Sequence, residues 1–168
     1  MLDLKNWNLK STLKEITIAL VLLFVLSSII SYIRKPELSS TRLPHIEAKL
    51  LDGSNFKVQE GKPLLLYFWA EWCPTCKLQS SNIEFVSKDY NVLTIAVNSG
   101  SDEQIKAYMH EHELSFKVIN DKEGTWAKQF KIEAYPTIFI YTAKGKLKFT
   151  DVGYTTTAGL LARFEWIK

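Results

Sequence analysis

Residues 63–76 read PLLLYFWAEWCPTC, an apolar run of strand length that passes through a short turn into two cysteines three positions apart. Leu64 to Trp69 carries no polar alternation, so the run predicts a strand buried on both faces, the pattern of a central strand in a layered sheet. From Lys77 to Asp89 the pattern turns helical, with Leu78, Asn82/Ile83, Phe85 and Val86 at helix spacing, and Val92 to Val97 (VLTIAV) reads as a second buried strand. Strand, helix and strand in that order form a unit with parallel strands.

Outward from this unit the same alternation continues. Ser101-Asp102-Glu103-Gln104 has the form of a helix start, and Ile105, Tyr108, Met109 and His112 follow along one stripe. Phe116 to Ile119 predicts a short strand and Trp126 to Phe130 a helix. Thr137 to Tyr141 and Lys146 to Val152 read as a hairpin about Ala143-Lys144-Gly145. Thr156 to Ile167 closes the chain as an amphipathic helix. Upstream, Ile46 to Leu50 and Asn55 to Val58 flank Asp52-Gly53 as a small leading hairpin. The expected fold class is α/β, a mixed central sheet with helices on both faces.

The first 35 residues are of another kind. Ile16 to Ile33 (ITIALVLLFVLSSIISYI) contains no charge and is closed by Glu15 on one side and Arg34-Lys35 on the other. That length meets a membrane span, whereas a cleaved signal has a shorter apolar region, about 7–15 residues, before a small-residue cleavage box. An uncleaved anchor is the expectation, with a cleaved signal and a buried core helix as alternatives. Lys5, Lys10 and Lys14 before the span balance Arg34, Lys35 and Arg42 after it, so charge alone does not orient the helix. The short N-terminal tail favours an N-in orientation with the large domain outside the cytoplasm. Pro36 to Pro44 (PELSSTRLP) reads as a tether. The domain organisation is therefore 1–35 tail and transmembrane anchor, 36–44 linker, and 45–168 a single domain.

Composition narrows the function. Of the 168 residues 46% are hydrophobic, and the net charge of +3 resides in the first 35, because the remainder carries 16 basic and 16 acidic side chains. A nucleic-acid reader needs a surplus of positive charge, which this remainder lacks. Two cysteines are too few for a disulfide framework, so they call for a chemical explanation.

Trp72-Cys73-Pro74-Thr75-Cys76 sits directly after the central strand and at the start of the next helix. Unpaired N–H groups at a helix N-terminus stabilise a thiolate, so Cys73 is expected to be the attacking sulfur, with a pKa lowered to about 3.5–7.5. Pro74 suits the first turn, where its missing N–H costs nothing. Cys76, one turn in and more buried, is the expected resolving thiol. Three alternatives remain. A structural disulfide closing so short a loop adds only about 2 kcal/mol, zinc needs two further ligands that His45, His110 and His112 are poorly spaced to provide, and two thiolates can hold Cu(I). Tyr135-Pro136-Thr137 is read as a cis peptide in a tight turn, leaving the Tyr135 backbone outward for an extended partner, against the plainer reading of a proline starting an edge strand. Trp69 is assigned to the core and Trp72 to a partner-binding surface.

With WAEWCPTCK (69–77) and YPT (135–137) in place, the chain from about Ile46 to Lys168 resembles the thioredoxin superfamily, and within it the membrane-anchored TlpA/ResA/DsbE branch of bacterial thiol-disulfide oxidoreductases. Asp102 to Asn120 matches the helix-strand insert of that branch, and CPTC looks most like its DsbE and ScsD (suppressor of copper sensitivity) members. The resemblance implies a thioredoxin-like fold, Cys73 as nucleophile, Cys76 as resolving cysteine, and Pro136 as the cis-proline beside them. Trp72, Pro74, Thr75 and Tyr135 then form the substrate-binding surface. It implies no cofactor beyond the redox-active Cys73–Cys76 disulfide, and no metal. Its partners would be periplasmic thiol proteins: a DsbD-type membrane electron donor, and an apocytochrome c or a copper-stress protein as acceptor. The chain departs from its relatives where they keep proton acceptors for the resolving thiol: Tyr67 stands in place of thioredoxin's buried Asp, and Gln79 in place of the Glu of ResA-like reductases. Glu71 and Glu84 are candidate substitutes.

Overall fold

The structure is a computed structural model that describes residues 9–34, 36, 40–59 and 61–168; within the first helix the side chains of residues 9–11, 27 and 30–32 fall outside that description. The tail 1–8, residue 35 at the end of the expected anchor segment and residues 37–39 of the expected linker lie outside the described residues. The chain divides into two compact units, Met1–Arg34 and Lys35–Lys168.

The described part of the first unit holds one helix, α1 (Leu9–Ile33), 25 residues long. Its described apolar side chains, among them Leu20, Leu22, Leu23 and Phe24, are exposed. The uncharged run Ile16 to Ile33 lies within α1, but the side chains at 27 and 30–32 are not described, and among the described residues no helix is long and apolar enough to cross a membrane.

The second unit is built on a five-stranded sheet of order β5-β4-β3-β6-β7. Its strands are β3 (Leu64–Trp69), β4 (Val92–Val97), β5 (Lys117–Asp121), β6 (Thr137–Tyr141) and β7 (Leu147–Val152). β3, β4 and β5 run parallel, and β6 and β7 complete the sheet antiparallel. The leading hairpin is present as β1 (Glu47–Lys49) paired with β2 (Asn55–Lys57). Every residue of β3, β4 and β6 is buried, which explains why their sequences do not alternate.

Side chains of β3 divide between two cores. Leu65, Tyr67 and Trp69 pack with α2 (Pro74–Ser87), α3 (Asp102–Glu111) and α5 (Thr157–Trp166). Leu64, Leu66 and Phe68 pack with the leading hairpin and α4 (Thr125–Gln129). Helix starts follow local chemistry. Ser101 and Gln104 form a reciprocal capping box on α3, and the Thr156 hydroxyl accepts from Gly159 N at the start of α5. Gly124 precedes α4 with φ +67°, a left-handed conformation that would strain a side chain.

Boundaries differ from expectation by a few residues. α2 begins at Pro74 with Cys73 as its cap, as the cysteine segment implies, and ends at Ser87, short of Asp89, while β5 runs on to Asp121 because it pairs with β4 as far as Val97. The larger correction concerns α2: Leu78 and Phe85 are 69% and 53% exposed, while Cys76, Gln79, Ser80, Ile83 and Val86 face the core.

Candidate active site

Three connections converge where β3 and β4 end and β6 begins. In the first, Cys73 N–H donates to the Ala70 carbonyl at 3.2 Å, turning the chain out of β3 and into α2. Cys73 occupies the cap position in extended conformation, and its Sγ accepts from Cys76 N at 3.1 Å. Pro74 takes the first helical position, where no N–H is needed. Cys73 and Cys76 form a disulfide with their Cα atoms 5.2 Å apart. Cys73 keeps 5% of its surface exposed and Cys76 none, so of the two sulfur-bearing residues only Cys73 reaches solvent.

Aromatic side chains form the outer wall. Trp72 is 61% exposed, its Nε1–H donates to the Asn98 carbonyl at 3.2 Å, and its ring meets Tyr135 edge-on at 5.6 Å. The Asn98 contact comes from the loop after β4 and the Tyr135 contact from the loop before β6, so Trp72 ties all three connections together. The Tyr135–Pro136 peptide is cis. Pro136 is buried with its carbonyl accepting from Gly153 N at 2.8 Å, and Tyr135 is half-buried. Pro74 is exposed and Thr75 half-buried, on the same first turn as the disulfide. Trp69, expected in the core, is fully buried, with its Nε1–H donating to the Thr94 hydroxyl at 3.2 Å.

Beneath the disulfide the environment is neutral. The Cys76 carbonyl accepts from the Tyr67 hydroxyl at 3.1 Å and from the Ser80 hydroxyl at 2.9 Å. Burial pushes the Tyr67 phenol far above its ordinary value, so it serves as a donor and never as a base. The Tyr108 phenol is also raised by burial. Gln79 is buried, and its Oε1 accepts from Thr155 N at 2.7 Å, joining α2 to the loop after β7.

Of the two carboxylates considered as proton acceptors, Glu84 is used elsewhere. It accepts from Ser115 N at 2.7 Å, Ser115 Oγ at 2.6 Å and Phe116 N at 3.2 Å, pinning the loop between α3 and β5, and these bonds do not reach Cys76. Glu71 stays on the cysteine loop, where its backbone N–H donates to the Ser99 hydroxyl at 3.0 Å and its charge helps raise the Tyr108 phenol. His110 is exposed and His112 half-buried, stacked on Tyr108. No cluster of three His, Cys, Asp or Glu side chains suited to a metal occurs among the described residues.

The Asn98 carbonyl and the Ser80 hydroxyl are not marked in the sequence reading, whereas Tyr67 is marked there only as the residue in place of a buried Asp. Ser80 had a legible signal, lying one turn after Cys76 on the same face; Asn98 had none.

Residues 40–150 match the AhpC/TSA family. The chain belongs to that family. It is 30% identical over 159 residues to a thioredoxin-like protein of Haemophilus influenzae, covering 92% of this chain and 94% of the relative. Sporulation thiol-disulfide oxidoreductase A of Bacillus subtilis is 29% identical over 126 residues, covering 70% and 74%. In fold the chain is similar to the crystal structure of a thioredoxin-family thiol:disulfide interchange protein from Chlorobium tepidum, with a TM-score of 0.66 at 22% identity, covering 78% of this chain and 98% of that one. The fold is thioredoxin-like, and the chain is a TlpA/ResA-like thiol-disulfide oxidoreductase with Cys73 and Cys76 as its disulfide pair.

Proposed function

We propose that this oxidoreductase is tethered to the bacterial inner membrane by its N-terminal helix, faces the periplasm, and reduces disulfides in partner proteins. The observation that carries the chemistry is the asymmetry of the pair: Cys73 caps α2, receives a helix amide on its sulfur and touches solvent, while Cys76 is enclosed behind it. In the reduced protein the Cys73 thiolate attacks a partner disulfide, forming a mixed disulfide and expelling one partner thiolate, which takes up a proton. Cys76 then gives up its proton, attacks the Cys73 sulfur and expels the second partner thiolate. The partner has gained two electrons and two protons, and Cys73–Cys76 is the disulfide that remains. No cofactor enters this cycle. Pro136 and Tyr135 border the attack site on one side, with Trp72, Pro74 and Thr75 on the other, and together they receive the partner's extended chain.

The uncharged run Ile16 to Ile33 supports the tether, since its 18 residues meet the length of a span. A DsbD-type membrane dithiol is the electron donor this reading requires, and an apocytochrome c or a copper-stress protein is the acceptor class. A disulfide-donating role and copper handling by the two thiolates are the rival readings.

Replacing Cys73 by Ser should abolish reduction of a protein disulfide by the purified, reduced protein, a loss of at least about 1,000-fold, and Cys76→Ser should accumulate the mixed disulfide on Cys73. Retention of exchange by Cys73→Ser, or stoichiometric Cu(I) binding by a wild-type protein that exchanges nothing, overturns the proposal. Acid trapping and thiol mass-tagging in intact cells set the direction. A mostly reduced pair supports the reductase, and a mostly oxidised pair supports the disulfide donor.

A further inference from the structure

The end of the domain opposite the disulfide carries a cluster of cations that the exchange chemistry does not use. β3 runs from Leu64 to Trp69, and while Trp69 leads to the cysteines, Leu64 shares a crevice with the β6–β7 turn. Around that turn stand Lys144 and Lys146, with Arg42 bridged to Lys146 and Lys168 lining the same hollow. Lys57 and Lys62 line the adjoining crevice with Lys144. All six are exposed.

Among the described residues the only acid lining these two crevices is Glu47, which faces His45 at 3.5 Å, and Lys168 is paired with Glu165. Among the described residues Arg42, Lys57, Lys62, Lys144 and Lys146 enter no ion pair. Since residues 36–168 carry equal numbers of basic and acidic side chains, this concentration polarises the domain. The chain also enters the domain here. Leu147 N donates to the Thr41 carbonyl at 2.6 Å and Leu43 N to the Gly145 carbonyl at 2.8 Å, fixing the end of the tether to the β6–β7 turn.

We infer that this basic pole binds the anionic phospholipid headgroups of the membrane that holds the tether, turning the disulfide end of the domain away from the lipid. The inference rests on the tethered reading above. Cations held within a Debye length of an anionic leaflet each contribute about a fivefold change in surface association, and a cluster of five that form no ion pair among the described residues is the size of patch that holds a domain down. A free phosphate would meet one or two of these side chains, whereas a surface of headgroups offers an anion to cations spread over two adjoining crevices. The consequence for exchange is geometric: partners are met by a disulfide at the far end of β3, open to the aqueous compartment.

Amine footprinting of the full chain in lipid nanodiscs tests this. With a third of the lipid as phosphatidylglycerol, Lys62, Lys144 and Lys146 should be acylated at least about fivefold more slowly than in pure phosphatidylcholine discs, with the difference erased by 0.5 M NaCl. Lys77 and Lys122, at the disulfide end, should label equally in both. The Arg42→Gln/Lys144→Gln/Lys146→Gln variant should lose the protection of Lys62 while keeping its exchange rate on a soluble disulfide. Equal labelling of the pole in both lipids overturns the inference and leaves this surface to an acidic protein. If the chain does not enter discs at all, the tethered reading fails separately. Co-sedimentation with phosphatidylglycerol vesicles then decides the pole by itself: binding that the triple variant loses supports it, and no binding overturns it.

Discussion

Strand β3 and helix α2 are joined through Ala70–Cys73, yet they bury themselves by different means. β3 sends every side chain into one of two apolar cores, so its environment is the same whichever face is considered. α2 has one buried face, and that face holds Gln79 and Ser80 beside Cys76, Ile83 and Val86, while Leu78 and Phe85 point outward. A strand in the middle of a sheet is solvated by its own kind, and apolar content alone places it. The helix that carries the disulfide gives part of its inner face to hydrogen bonds, with Tyr67 and Ser80 on the Cys76 carbonyl and Gln79 on Thr155 N. That arrangement holds Cys76 rigidly without setting a charge against its sulfur.

The largest test of this difference is in β3. Phe68 is fully buried, with Phe130 at 5.0 Å and Phe139 at 5.9 Å between ring centroids. Phe68→Ala should cost about 3–5 kcal/mol in urea unfolding, a large fraction of the stability of a domain this size. Phe68→Leu, which keeps most of the volume, should cost less than half as much. An equal loss for both would mean that ring stacking, and not filled volume, holds that core.

The middle of the range lies on the polar side of α2. Glu84→Ala leaves Ser115 N and Phe116 N without their carboxylate, and the loss should be about 1–2 kcal/mol because Ser115 is near water and can be resolvated. The exchange rate of the folded variant should be unchanged, since Glu84 serves the loop between α3 and β5. A fall in rate with a shifted pH profile would return Glu84 to the site.

What was legible in the sequence follows the same division. The buried strands, the capping box at Ser101–Gln104, the turn at Ala143–Gly145 and the helix-capping position of Cys73 are all decided within a few residues, and each could be read locally. The inner face of α2 could not, because its partners arrive from afar. Gln79 is bonded to Thr155 across 76 positions, and the Cys76 carbonyl to Tyr67 across nine. The tryptophan beside the cysteines was recognised as a surface residue, but its anchor is the carbonyl of Asn98, and a backbone oxygen leaves no mark in composition. Glu84 shows the same limit: as a candidate acid on the site helix it carries no local mark of the loop it caps, some thirty residues further on.

The smallest effect is the most discriminating. Leu78 and Phe85 lie seven residues apart on α2, a spacing that places both on one face and suggests a core stripe, for which truncation to Ala would cost about 2–5 kcal/mol at each site. Their exposure of 69% and 53% implies instead that each substitution stays within about 0.5 kcal/mol of wild type. Alanine is also the better helix former, which partly offsets the small loss of contact area. Urea unfolding of the double variant Leu78→Ala/Phe85→Ala therefore separates the two accounts by several kcal/mol. A midpoint close to wild type confirms that α2 faces the sheet through Gln79, Ser80 and Ile83. A large loss would require the helix to be rotated, and a rotated α2 could not keep the Cys76 carbonyl on Tyr67 or the Gln79 side chain on Thr155.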